Sequence, residues 1–129
     1  MPGDNSATVA VGTPVQFPQN GSTNSTVART GPGTFNLPNI GTYLVLFQVS
    51  VTEAGQLVVV LNGSELPTTV VGRATGTSQI SGMSLVTTSV INSILSINNP
   101  AANSTALTIT PLAGGADPVS AHLIISQVF

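Results

Sequence analysis

The 129-residue sequence predicts an all-β domain, a sandwich or a barrel. Three observations carry that reading. No stretch of helical length repeats its apolar residues every 3.6 positions. Thr, Val, Ile and Ser dominate, and stretches rich in helix formers are missing. Short apolar runs bounded by Gly, Pro and Asn recur at close spacing along the whole chain. The length suits one domain with a core of its own.

Each element follows from local chemistry. The first eleven residues, MPGDNSATVAV, have no core pattern and read as a partly mobile lead-in, leaving a single domain over residues 12–129. Thr13–Phe17 is a short strand, and Pro14 confines it to an edge or a strand start. Ser25–Arg29 is set beside it. Gly31, Pro32 and Gly33 form a turn before a strand over Thr34–Leu37. Thr42–Glu53 is the longest strand. Ala54 and Gly55 turn the chain into Gln56–Leu61, and Asn62–Gly63 signals a type I′ hairpin leading to a return strand over Leu66–Gly72. A Thr- and Gly-rich connection over Arg73–Ser78 precedes strands at Gln79–Val90, Ser93–Asn98, Thr105–Pro111 and Val119–Phe129. The last three are separated by turn signals at Asn98–Pro100 and Gly114–Pro118.

The long strand poses a problem. Tyr43, Val45, Phe47, Val49 and Val51 alternate onto one face, and Leu44 and Leu46 onto the other before it turns polar at Gln48. A sandwich strand packs one face on the opposite sheet, so its second face needs another cover. Loops or helices of the same chain are one answer, and further copies of the chain are the other. The final strand repeats the pattern, with Ala121, Leu123 and Ile125 alternating with His122, Ile124 and Val128. Val58 and Val60 raise a related question between Leu57, Val59 and Leu61. They are either an exposed patch or residues beneath a loop.

Composition excludes several functions. Six residues are charged and the net charge is −2, so no electrostatic footprint for nucleic acid or an anionic membrane exists. About a third of the chain is Ser, Thr, Asn and Gln, which must keep it in solution. There is no cysteine, hence no disulfide, thiolate metal site or cysteine nucleophile. The apolar runs YLVLF and LVVVL fall far short of a membrane helix. No basic segment precedes an apolar stretch near Met1, so no signal peptide is expected.

The order of elements resembles a known family. The long strand opens on Gly-x-Tyr in GTYLVLFQVSV, and a hairpin through Asn-Gly follows in LVVVLNGSELP. Then come QISGMSLVTT, SILSINN and the closing VSAHLIISQVF. Over Val11–Phe129 the pattern is similar to the tumour necrosis factor/complement-head jelly roll. More narrowly, it resembles the C-terminal domains of Bacillus-type collagen-like exosporium surface glycoproteins. The aromatic positions of the wider family are mostly aliphatic here, as in its bacterial branch. The chain holds no Gly-X-Y repeat, so a collagen stalk would lie upstream of it.

The resemblance implies a two-sheet jelly-roll sandwich of about ten strands, assembled as a tight homotrimer. Its inner sheet would hold the strands near Val15, Thr42–Glu53, Ser93–Asn98 and Val119–Phe129. The trimer interface would draw on Tyr43, Leu44, Leu46, Phe47, Ile97, His122, Ile124 and Phe129. The implied function is structural: trimerising and capping a collagen-like filament outside the cell, on a spore or cell surface. A carbohydrate- or receptor-binding adhesin or fibre tip of the same fold is the alternative.

Enzymatic chemistry has little to stand on. His122 is the sole imidazole and sits inside an apolar strand. Asp117 and many serines complete a Ser-His-Asp set on paper, yet Gly82-Met-Ser84-Leu-Val86 lacks the second glycine of a nucleophile elbow. The four acids are scattered, unlike a zinc or calcium site, and no cofactor is expected. Gly31–Gly33 lacks the lysine and helix of a phosphate loop. Asn-x-Ser/Thr triplets at Asn20, Asn24, Asn62 and Asn103 fall in loops and read as turn chemistry.

Overall fold

The computed structural model describes residues 7–23, 26–76 and 78–129. The strands are β1 (Thr8–Val9), β2 (Ala28–Arg29), β3 (Phe35–Leu37), β4 (Thr42–Val51), β5 (Gly55–Leu61), β6 (Ser64–Glu65), β7 (Val71–Arg73), β8 (Ser78–Thr87), β9 (Ser93–Asn98), β10 (Leu107–Thr108) and β11 (Ala121–Gln127). A 3₁₀ turn at Pro67–Thr69 is the one helical element among the described residues. No helix is therefore on hand to cover a sheet face.

Two antiparallel sheets face each other across one core. The first has the order β11-β4-β8, and the second β2-β3-β9-β5-β6, with β7 also on β5. A two-stranded piece joins β1 to β10. The chain changes sheet at the steps from β3 to β4, β4 to β5, β7 to β8, β8 to β9 and, past β10, to β11. Tyr43, Val45, Phe47 and Val49 of β4, with Ile80 and Val86 of β8, meet Phe35, Leu37, Leu57, Val59, Leu95 and Ile97 from the second sheet. This is the sandwich that the short, Gly- and Pro-punctuated runs predict.

Two expected neighbours of the long strand lie elsewhere. The resemblance implies that Ser93–Asn98 shares the sheet of the long strand, but β9 lies in the other sheet between β3 and β5. The partner of β4 is β8, in register over its full length from Thr42–Thr87 to Val51–Ser78. Val15 is not in that sheet either: its N–H donates to the Ile97 carbonyl, and Pro14 bridges Asn98. Thr13–Phe17 thus runs beside β9 with one bridge, in keeping with an edge segment that contains proline.

The local chemistry explains further departures. Thr8 and Val9, expected in the lead-in, form β1, and Val9 is buried in the core. Asn99 holds them there. It is fully buried, and its Nδ2 donates to the carbonyls of Val9 and Thr105 at 3.0 Å. Residues 1–6 of the lead-in, Ser25 of the expected strand, Asn24 and Thr77 lie outside the described residues.

The Asn62–Gly63 hairpin forms as expected, with φ of 51° and 82° and Leu61 opposite Ser64. The Asn62 side chain accepts from Ile94 N–H at 2.8 Å and donates to Ser93 Oγ, so the turn is tied to β9. The expected return strand breaks into β6, the 3₁₀ turn and β7. Pro67 opens the turn, and the Thr69 hydroxyl takes over a ladder bond. It accepts Val59 N–H at 3.0 Å and donates to the Leu66 carbonyl at 2.7 Å.

Candidate functional site

The two faces of β4 have different fates. Tyr43, Val45, Phe47 and Val49 are completely buried in the core. Tyr43 also donates its hydroxyl to the Asn39 carbonyl at 2.8 Å, so its polar end is satisfied. On the other face Leu44 and Leu46 are half-buried. The pairings place Leu46 between Met83 of β8 and Ile124 of β11, and Leu44 between Leu85 and Ser126.

That second face is open. Met83 is 67% exposed, Leu85 62% and Ile124 55%. With Leu44 and Leu46 they form a contiguous apolar field across three strands. The period-2 alternation requires it: Ser81, Met83 and Leu85 share the face that Ile80, Gly82 and Val86 do not. Gly82 serves the core side. A Cβ there would lie 2.5 Å from Phe47 Cζ, so this glycine makes room for the ring and is no part of a nucleophile elbow.

The rim of the field is polar and uncharged. Gln48 stands between Ser81 and His122 in the ladder, and its Nε2 donates to Gln79 Oε1. At the opposite end Thr42 and Thr87 share a hydroxyl bond of 3.1 Å. No residue of β4, β8 or β11 carries a formal charge.

Of the eight residues expected at an interface, Leu44, Leu46, His122 and Ile124 lie on this face. Phe129, at 84% exposure, stands at the end of the sandwich near Thr42, where its N–H reaches the Thr42 carbonyl. Tyr43, Phe47 and Ile97 need correcting. All three have no exposed surface within the single chain, because they point to the core between the sheets. Ile97 is on β9, which belongs to the other sheet. The residues that take its place are Met83 and Leu85. Their alternation with Gly82, Ser84 and Val86 was visible in the sequence, but the neighbour of β4 was not.

Val58 and Val60 resolve differently. They are on the outer side of β5, yet Val58 is fully buried and Val60 nearly so. The single chain hides them without help from a second body.

Beside the open face lies a groove of about 750 Å³. Leu123 and Ile125 of β11, with Phe17 and Phe35, form its apolar part, and Asn20 and His122 are among its polar groups. Arg29 also lines it, but its guanidinium is engaged. It donates to Asn20 Oδ1 at 2.8 and 3.1 Å and to the Gly31 and Pro32 carbonyls at 3.2 Å, and lies 5.1 Å from the Phe35 ring centre. That cation braces the wall of the groove.

Charge elsewhere is also spent on structure. The Glu53 carboxylate accepts from the Thr108 N–H at 2.7 Å and from its hydroxyl at 2.5 Å. Partial burial raises its pKa, but the Thr108 bonds and a Thr52 bond outweigh that and lower it. Glu65 accepts from Ala101 N–H at 2.9 Å. Among the described residues no three His, Asp or Glu side chains converge on a metal-sized site. No protein-family model matches the chain, and no curated protein matches it.

Proposed function

We propose that this chain is a non-catalytic structural module, a jelly roll that self-associates as a homotrimer through the open face of β11-β4-β8. The observation that carries the reading is the row Met83–Leu46–Ile124 with Leu44 and Leu85 beside it. Burying a large aliphatic side chain is worth about 1.5–3 kcal/mol relative to leaving it in water. Five such residues on strands without a formal charge suit an interface between copies, whose centre is depleted of charge. The jelly-roll reading is supported by the repeated crossing of the chain between sheets and by the pairing of the last strand with the long one.

A threefold assembly gathers three chain ends in one place. The resulting high local concentration favours winding of an attached triple helix. The reading therefore extends to a cap on a collagen-like filament at a spore or cell surface. The scarcity of charge fits a rigid, chemically inert head.

The test is molar mass in dilute solution by light scattering. Three times the 13.0 kDa of one chain is expected. A well-folded particle of single-chain mass would overturn self-association, and one of twice that mass would overturn its threefold character. Glycan binding is a second reading, favoured by the groove beside β11. Selective retention on a glycan array, lost in Asn20→Ala, would support it.

A further inference from the structure

We propose that His122 makes the assembly acid-sensitive, so that the copies separate as the pH falls from about 7.5 to 5.5, the range in which imidazole chemistry operates. The inference rests on the self-association reading of the open face and names the regulation of that face. His122 is the one imidazole in the chain. It is exposed on β11, opposite Gln48, and two residues before Ile124. It therefore shares a face with Leu46, Ile124 and Met83 and borders the apolar field directly.

The groups around it determine the sign. On β4 it faces Gln48, an amide already bonded to Gln79 of β8, and beyond Gln48 the ladder continues to Ser81. Arg29 of β2 also lines the groove, with its guanidinium held on Asn20, Gly31 and Pro32. None of the residues lining the groove is acidic. The Glu53 and Glu65 carboxylates are held at Thr108 and Ala101. Asp117 lies in the exposed loop ahead of β11.

A neutral imidazole can enter a closing interface along an amide rim. An imidazolium must shed water against aliphatic side chains, and none of β4, β8 and β11 carries a carboxylate to receive it. Symmetry repeats that charge in every copy. The assembled state therefore holds fewer protons than the separated copies, and linkage weakens assembly as pH falls. Each tenfold loss of proton affinity on assembly weakens it about tenfold per histidine at acid pH.

The experiment is sedimentation of the whole chain over a concentration series at pH 7.5 and 5.5, with circular dichroism to follow the fold. The expected result is an apparent dissociation constant at least about tenfold higher at pH 5.5, with an unchanged spectrum. In His122→Gln that difference between the two pH values disappears, whatever the variant's own affinity. Equal assembly of the natural sequence at both pH values would overturn the role of His122 and leave self-association standing. So would acid dissociation that persists in His122→Gln. A single subunit at pH 7.5 would instead overturn the self-association reading, and this inference with it.

Discussion

The central strands β4 and β5 begin from the same sequence signal and end in different circumstances. Each carries bulky aliphatic residues on both faces: Leu44 and Leu46 against Tyr43, Val45 and Phe47 in one, Val58 and Val60 against Leu57 and Val59 in the other. The second face of β5 is closed by the chain itself, and Val58 has no exposed surface. The second face of β4 stays open, with Met83, Leu85 and Ile124 more than half exposed around it. Two-sided greasiness thus does not tell whether the chain itself closes both faces of a strand. Beside β5, Pro67–Thr69 links β6 and β7, which both pair with it.

The contrast is sharpest under a charged substitution. Val58→Asp buries an unpaired carboxylate and should cost about 3–5 kcal/mol of fold stability, read as a lower midpoint in urea. Leu46→Asp puts the same group on an open face. The subunit should stay folded, within about 1 kcal/mol of the parent, while the proposed oligomer is lost in light scattering. An oligomer that survived Leu46→Asp would remove β4 from the interface.

Next in size is the space between Gly82 and Phe47. Gly82→Ala drives a Cβ into the ring of a fully buried phenylalanine. A loss of about 1–3 kcal/mol is expected from overpacking, measured by thermal or urea melting. The side chains on the open face of β8 should be far more tolerant. Ser81→Ala, one residue away, should change subunit stability by less than about 0.5 kcal/mol.

The cover of β5 can be probed at its hydrogen bonds. Thr69→Val keeps the shape and removes the hydroxyl that serves Val59 N–H and the Leu66 carbonyl. The buried N–H loses its partner, for about 1–2 kcal/mol. Hydrogen exchange at Val59 should speed up more than exchange at Val45 in β4. Equal acceleration at both would mean that the two strands open together.

The smallest effect is that of pH at the turn joining β4 to β5. Glu53 titrates below its ordinary 4.5 in the folded chain, since its Thr108 and Thr52 bonds outweigh the opposing desolvation. A carboxyl with a lowered folded pKa contributes stability above its unfolded value. That contribution fades as the pH falls through the lowered folded one. Urea midpoints of the natural sequence and of Glu53→Gln should therefore converge below pH 4.5 and separate above it. A gap that widened toward acid would contradict the Thr108 contact.

The sequence by itself determined the long strands and their faces. Alternation placed Tyr43, Val45, Phe47 and Val49 together, and Asn62–Gly63 turned where its chemistry requires positive φ. Those are local properties: the pleat has a period of two, and a hairpin closes over neighbouring residues. The tertiary structure decided which strands lie side by side. β8 rather than β9 flanks β4, so Met83 and Leu85 join Leu44 and Leu46, while Ile97 goes to the core. A run of alternating aliphatics fits beside almost any other, and the choice is made by connections that cross between the sheets. For the same reason Val58 is hidden and Leu46 is not, although both read alike in the chain.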